Sequence, residues 1–239
     1  MGKKVAVVTG ASGGMGIAIS NALMEADFFV IGLDQNAAKQ SSENYSHIVV
    51  DLTKADAVAS AFAQIKAVHG GVDALVNNAG NCYLSDFPDI PAEEFLLQMD
   101  VNFSSAFYCA QEAVKLMLGR EGFRKIVNIS SNGAYNFNVF DPPHYRASKA
   151  ALDTLTRDLA RRYAKEKICV NSIAPAMTQT PLFDLLSEEV LTKAIAEMPH
   201  GKPMDPSEIA AWVAFLISPA GNVSSGNVII LNQGRDVRA

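Results

Sequence analysis

Cysteine is scarce in this chain: Cys82, Cys109 and Cys169 are the only three in 239 residues, far apart and without C-x-x-C or metal-ligand spacing. That excludes a disulfide-stapled scaffold, suits a reducing compartment, and makes buried small hydrophobes the expected role of the thiols. His47, His69, His144 and His200 show no ligand spacing either, so no metal is expected. Excess positive charge is missing. The formal net charge is −5 and the lysines and arginines are scattered, which leaves no basic footprint for nucleic acid. Long apolar runs are missing too: stretches such as "AAWVAFLI" are far too short to span a bilayer. The opening "MGKKVAVVTG" already reads as a strand, without the apolar core of a signal peptide, and Ala6 fails the myristoylation pattern. The expectation is a soluble, cytoplasmic globular protein without nucleic-acid or membrane partners.

Apolar material, by contrast, is plentiful. Hydrophobic residues make up 49% and charged residues 19%, and the length suits one large α/β domain. Short β-branched runs ("VAVVTG", "FFVIGLD", "HIVVDL", "ALVNNAG", "KIVNISS", "ICVNSIAP", "NVIILNQG") alternate with amphipathic segments ("GIAISNALMEA", "AVASAFAQIKAV", "AFYCAQEAVKLML", "ALDTLTRDLARRYAKE"). The runs are mostly continuously apolar, as parallel strands buried on both faces require. The alternation predicts a Rossmann-type doubly wound sheet of about seven mainly parallel strands with helices on both faces. Two stretches break the rhythm. Between Asp34 and Asp51 there is room for only a stub of helix. From about 177 to 203 runs a long excursion, patterned by Leu182, Phe183, Leu185, Leu186, Val190, Leu191 and Ile195, which reads as a substrate lid or as an oligomer contact.

Chemistry begins at the first strand-to-helix turn, "VTGASGGMGIA". Gly10, Gly14 and Gly16 permit a tight turn, close approach of backbone to a pyrophosphate, and close helix packing; Ser12 and Met15 share the turn and its expected cofactor contacts. The N–H groups at the helix start favour an anion. Asp34 follows Gly16 by 18 residues, against about 20 for a carboxylate that binds ribose hydroxyls. A carboxylate there repels a 2′-phosphate, and neither "ASGGMG" nor "LDQN" offers a cation to compensate. The expected cofactor is NAD rather than NADP.

Further along, "HYRASKAALDTL" sets Tyr145 and Lys149 four residues apart, one turn apart on one helix face. A cation beside a phenol favours phenolate and lowers its pKa, which suits proton transfer in alcohol/carbonyl chemistry.

The Gly-x-x-x-Gly-x-Gly turn after Thr9, "NNAG", "VNISS" and Tyr-x-x-x-Lys stand here in one order, and together they resemble the short-chain dehydrogenase/reductase family in its compact single-domain form, from Val5 to about Gly234. The resemblance implies that Tyr145 is the catalytic acid/base and that Lys149 tunes it and binds the nicotinamide ribose. It maps the family serine to Ser131, preferred over Ser130 because strand alternation turns only one of the pair to the cleft. Asn102 matches the asparagine that holds a water in the proton relay. Asn78, Ala79 and Gly80 match the segment beside the adenosine ribose, and Asp51 and Leu52 the pair beside the adenine. Pro175, Thr178 and Thr180 match positions that meet the nicotinamide carboxamide or phosphates. A homotetramer or dimer is also implied. Two departures stand out: Ala176 replaces the usual glycine after the proline, and "LNQG" replaces a more acidic final turn.

These residues point to hydride transfer between NAD(H) and a secondary alcohol or ketone, a small-molecule substrate. The strand end "GLDQ" and the short link after it resemble dihydrodiol dehydrogenases of the dihydroxybenzoate type. Two other readings stay open: a 3-oxoacyl-thioester reductase-like enzyme, against which Asp34 argues, and a catalytically silent nucleotide sensor on the same fold. Enoyl reductases of the family space tyrosine and lysine more widely. Tyr135, Phe137 and Phe140 read as a substrate wall or as loop packing, and His144 as a helix starter or a substrate contact.

Overall fold

The computed structural model describes residues 2–136, 141–181, 183 and 186–236. In chain order the elements are β1 (Lys4–Thr9), α1 (Gly14–Glu25), β2 (Phe28–Asp34), β3 (Tyr45–Val49), α2 (Ala55–His69), β4 (Ala74–Asn77), α3 (Ala92–Met99), a π-helical turn (Asp100–Ser104), α4 (Ser105–Met117), β5 (Arg124–Ile129), α5 (Pro143–Arg162), β6 (Ile168–Pro175), α6 (Glu188–Ala196), α7 (Pro206–Ile217) and β7 (Val228–Leu231). The seven strands form one parallel sheet in the order β3-β2-β1-β4-β5-β6-β7. The order reverses between β1 and β4, and such a switch point opens a crevice at the carboxyl ends of the strands.

Period-two alternation sends neighbouring residues of β1 into two different cores. Val5 and Val7 enter one core with Phe62 and Ile65 of α2 and Val114 and Met117 of α4. Ala6 and Val8 enter the other, with Ile19 and Leu23 of α1 and Ile209 and Val213 of α7. The central strands therefore bury both faces, whereas the edge strands β3 and β7 are only partly covered.

Three local expectations shift. The third strand begins at Tyr45 and ends at Val49 rather than running over "HIVVDL", because pairing with β2 starts at Val30↔Tyr45. No helix forms between Asp34 and β3; Asn36 binds back to Asp34 through its backbone N–H (2.9 Å) and its amide (3.1 Å) instead. Helix α5 stops at Arg162 rather than Glu166, and Lys167 at φ 58 turns the chain into β6. Helix α3 was not among the segments expected, and Phe95, Leu96 and Leu97 are all exposed on it.

Candidate active site

At Gly10 and Gly16 of the β1–α1 turn only glycine fits. Gly10 sits at φ 64, and a Cβ there would lie 2.9 Å from the Ala79 Cα. A Cβ on Gly16 would overlap the Gly10 carbonyl oxygen, while one on Gly14 would lie 3.1 Å from Pro181. Thr9 stitches the two strands of the switch point: its hydroxyl accepts from the Asn78 and Ala79 N–H groups (both 3.0 Å), and its carbonyl from Asn78 Nδ2 (3.0 Å). Beside this seam runs a cleft of about 620 Å³ lined by Gly10, Ser12, Gly13, Gly14, Met15, Gly16, Asp34, Asp51, Leu52, Asn78, Ala79, Gly80 and Thr180. Asp34 is 7% exposed; its carboxylate accepts from the Ser12 N–H (3.0 Å) and from Asn36. The Asp51 carboxylate accepts from the Thr53 N–H and hydroxyl, which hold it below the usual carboxylate range. Lys39 lines the same cleft, the one cation among the described lining residues. Sequence spacing missed it because it lies past "LDQN", in a link with no regular structure.

A second cavity of about 180 Å³ adjoins the first, and Met15 and Thr180 line both. Its wall includes Cys82, Leu84, Ser131, Asp141, Tyr145, Pro175, Met177, Thr178, Phe183, Leu186 and Arg235. Ser131 and Tyr145 share a side-chain hydrogen bond, and the Gly133 N–H donates to Ser131 Oγ (3.0 Å). The Ser130 hydroxyl donates instead to the Lys149 carbonyl at 3.3 Å. Lys149 Nζ donates to the Ile129 carbonyl (2.9 Å) and stands 5.9 Å from the Tyr145 ring centroid. A Cβ on Gly80 would lie 3.1 Å from Lys149 Nζ and 3.3 Å from Asn102 Oδ1, so that glycine lets cleft and cluster meet.

Asn102 lies in the π-helical turn and is fully buried. Its Oδ1 accepts from the Asn81 N–H (2.8 Å), and its Nδ2 donates to the Asn81 carbonyl (2.9 Å) and to Ser148 Oγ (3.0 Å). π-turns are over-represented at functional sites because the extra residue re-aims a side chain. Asn81 and Ser148 complete this lattice, yet their polar side chains carry no motif that sequence alone would select.

The electrostatics differ from the expectation for Tyr145. Its phenol is pushed up rather than down, by burial first and then by the Asp141 carboxylate, with the Ser131 hydrogen bond opposing. Lys149 is pushed down to about 8, by burial first, with Asp153 and Cys82 opposing. Burial of both groups outweighs the phenol–ammonium attraction that spacing alone suggests. Cys82 is pushed up to about 12, by burial and then Asp141, and stays a thiol at neutral pH.

The other candidates fall as follows. Pro175 ends β6, and the Ala176 N–H donates to the Leu231 carbonyl (2.7 Å) without a left-handed backbone. Thr178 Oγ1 donates to the Ala176 carbonyl (3.1 Å), and Thr178 bridges to Met204 at the root of the 177–203 excursion. Tyr135 donates to Asp153 Oδ2 (2.6 Å) and does not line the small cavity. Phe137, Phe140, Leu182 and Leu185 lie outside the described residues. His144 follows Pro142 and Pro143 in the first turn of α5, buried with Nε2 at 3.2 Å from Glu94 Oε1. Among the described residues no group of His, Cys, Asp or Glu is arranged to hold a metal ion, and no helix is long and apolar enough to cross a membrane.

A glycine-only cradle at a Rossmann switch point, continuous with a tyrosine-bearing cavity, defines the class: an oxidoreductase that works with a nicotinamide dinucleotide. The family model described as enoyl-(acyl carrier protein) reductase matches residues 10–236. The chain is 34% identical over 244 residues to the acetoacetyl-CoA reductase of Acinetobacter sp. (strain RA3849), covering 97% of both chains. It is 32% identical over 250 residues to the NAD-dependent glycerol dehydrogenase of Listeria innocua serovar 6a, covering 98% of this chain and 94% of that protein. Among solved structures, the ligand-free aldohexose dehydrogenase of Thermoplasma acidophilum matches with a TM-score of 0.91 at 30% identity, covering 100% of this chain and 96% of that one. The chain belongs to the short-chain dehydrogenase/reductase family.

Proposed function

We propose that this enzyme oxidises a secondary alcohol, or reduces the matching ketone, with NAD(H) and with Tyr145 as the acid/base. The observation that carries the reading is the junction of the two cavities: Tyr145 lines the small one, and Lys149, one helical turn on, abuts Gly80 of the long one. The cradle fits a dinucleotide, since Gly10 and Gly16 hold the turn tight against its own backbone while Ser12, Gly14 and Met15 line the open cleft of about 620 Å³ beside it. Gly10, Ser12, Gly14, Met15 and Gly16 would take the pyrophosphate, and Asp34 the adenosine ribose, with Asp51, Leu52, Asn78, Ala79 and Gly80 along the adenosine. Lys149, Pro175, Thr178 and Thr180 would meet the nicotinamide half. Bound NAD supplies the hydride acceptor. In oxidation Tyr145, as phenolate, takes the hydroxyl proton on Oη; in reduction the phenol donates its proton to the developing alkoxide, while Ser131 Oγ hydrogen-bonds the same oxygen. Lys149 supplies the cation that favours phenolate, and Asn102 holds the Asn81 backbone and Ser148 beneath them. The 177–203 segment, through Phe183 and Leu186, serves as the substrate lid. The assembly is a cytoplasmic homo-oligomer, a tetramer or dimer, supported by exposed Phe95, Leu96 and Phe107 on α3 and α4.

A second reading, a 3-oxoacyl-thioester reductase, is favoured by similarity to the acetoacetyl-CoA reductase and by Lys39 on the cleft, where it would meet a 2′-phosphate. The four-residue Tyr–Lys spacing favours carbonyl over enoyl reduction. Titration with NADH and NADPH separates the cofactors: NADH binds more tightly, and Asp34→Ala narrows the gap. A clear NADPH preference would overturn the Asp34 argument. Turnover of a secondary-alcohol panel with NAD falls by about 10²–10⁴-fold in Tyr145→Phe with NAD affinity kept; full activity in that variant would remove Tyr145 from the mechanism.

A further inference from the structure

The turn after β7 is bonded to two distant parts of the substrate cavity at once. Asp236 Oδ2 accepts from Asn132 Nδ2 at 2.9 Å, across 104 positions of sequence, and Asn132 follows Ser131 directly. The same oxygen accepts from Arg235 Nε at 3.1 Å. Arg235 lines the cavity beside Ser131 and Tyr145, and its Nη1 stands 3.5 Å from Glu197 Oε2, at the end of α6. Gln233 reaches the excursion as well: its Oε1 accepts from the His200 N–H (3.0 Å), and its Nε2 donates to the Lys202 carbonyl (3.2 Å). Gln233 does this from φ 58, a conformation that costs a residue with a side chain and persists only where surrounding bonds hold it. Asn232 closes the turn, accepting from the Gly234 N–H (3.0 Å) and donating to the Asp236 carbonyl (3.2 Å).

We propose that the turn Asn232–Asp236 completes the substrate site: Asp236 is a positioning residue for Ser131, acting through Asn132, and Arg235 is a specificity-determining residue of the cavity wall. The proposal rests on the reading of Ser131 and Tyr145 given above. Asn132 opens the short turn whose Gly133 N–H donates to Ser131 Oγ, so an anchored Asn132 fixes where that hydroxyl points. Arg235 brings a guanidinium into a largely apolar wall, with Nε held by Asp236 and Nη1 turned to Glu197, which leaves further N–H donors for the cavity. Its charge is already opposed by Asp236 and Glu197, so it serves a neutral acceptor oxygen on the substrate rather than capturing an anion.

The two roles separate kinetically, measured with the secondary alcohol that the wild type turns over best. Asp236→Ala lowers kcat by about tenfold or more through misplacement of Ser131, with KM for NAD unchanged. Asp236→Asn keeps an acceptor oxygen for both Asn132 and Arg235 and restores most of that loss. Arg235→Ala instead raises the KM for the alcohol by about tenfold, the worth of one lost hydrogen bond in the cavity, with a smaller change in kcat. Equal losses in the alanine and asparagine variants of Asp236, or an unchanged alcohol KM in Arg235→Ala, would overturn the proposal. One readout needs no turnover: Gln233→Ala frees His200 and Lys202, and trypsin cleavage at Lys193 in the folded protein accelerates. An unchanged cleavage rate defeats the bracing of the excursion, whereas a wild type that turns over no alcohol defeats only the functional reading beneath it.

Discussion

Lys149 carries charge in a place that disfavours charge. It is 4% exposed, and burial brings its pKa to about 8 from an ordinary 10.5. Between those two values the unfolded chain binds the proton that the folded one has lost, so this site's contribution to stability rises with pH across that window. Lys149→Met therefore stabilises the fold at about pH 7 by up to about 3 kcal/mol while removing turnover. Urea denaturation checks the sign: the gain shrinks at about pH 10, where wild-type Lys149 is already neutral, and a variant less stable than wild type at neutral pH would contradict it. Spacing in the sequence brings the lysine beside the phenol, as the 5.9 Å distance bears out. It could not reveal that Asp141 and burial push the phenol the other way, because Asp141 reaches the cavity from a loop with no motif.

Among the elements, those with an apolar stripe or a continuous apolar run were legible, and those without one were not. The central parallel strands, α1, α2 and α4 bury a face in the two cores, and α5 buries Leu152 and Leu155 against Ala106 of α4. Helix α3 buries only Gln98, whose amide donates to the Asn81 carbonyl at 2.8 Å, so its packing role is polar and its apolar side chains stay exposed. The π-helical turn was likewise invisible, since one extra residue in a helix leaves no compositional trace. The β1–α1 turn is the opposite case, where the residue type itself reports the geometry. At Gly16 the obstructing atom is the Gly10 carbonyl, a backbone group that cannot swing aside. Gly16→Ala accordingly costs about 1–3 kcal/mol by overpacking, and calorimetry with NAD registers a Kd raised at least about tenfold by the displaced cradle. Wild-type affinity in that variant would mean that the turn relaxes without touching the site.

At the scale of the whole molecule, the Asp73 ion-pair cluster and the cavities lie at opposite ends of the strands. At the amino ends of the central strands, Asp73 accepts from the Val5 N–H (2.8 Å) and pairs with Arg124 Nε (3.3 Å) and Arg120 Nη2 (3.4 Å). The Arg124 side chain is 8% exposed, and Asp73→Ala would strand its charge. That substitution lowers the unfolding free energy by about 3 kcal/mol and leaves kcat/KM unchanged below the shifted melting temperature. A fall in kcat/KM at low temperature would show that the two ends of the strands communicate. The carboxyl ends hold the segments that shape the small cavity, and two of them, the excursion and the turn at Asn232–Asp236, share bonds although more than thirty positions separate them. They therefore form one bonded unit. A chimera that borrows the excursion from a relative while keeping the native tail leaves His200 and Lys202 without their glutamine and Arg235 without its glutamate, so new substrate preferences come across intact only when both pieces travel together.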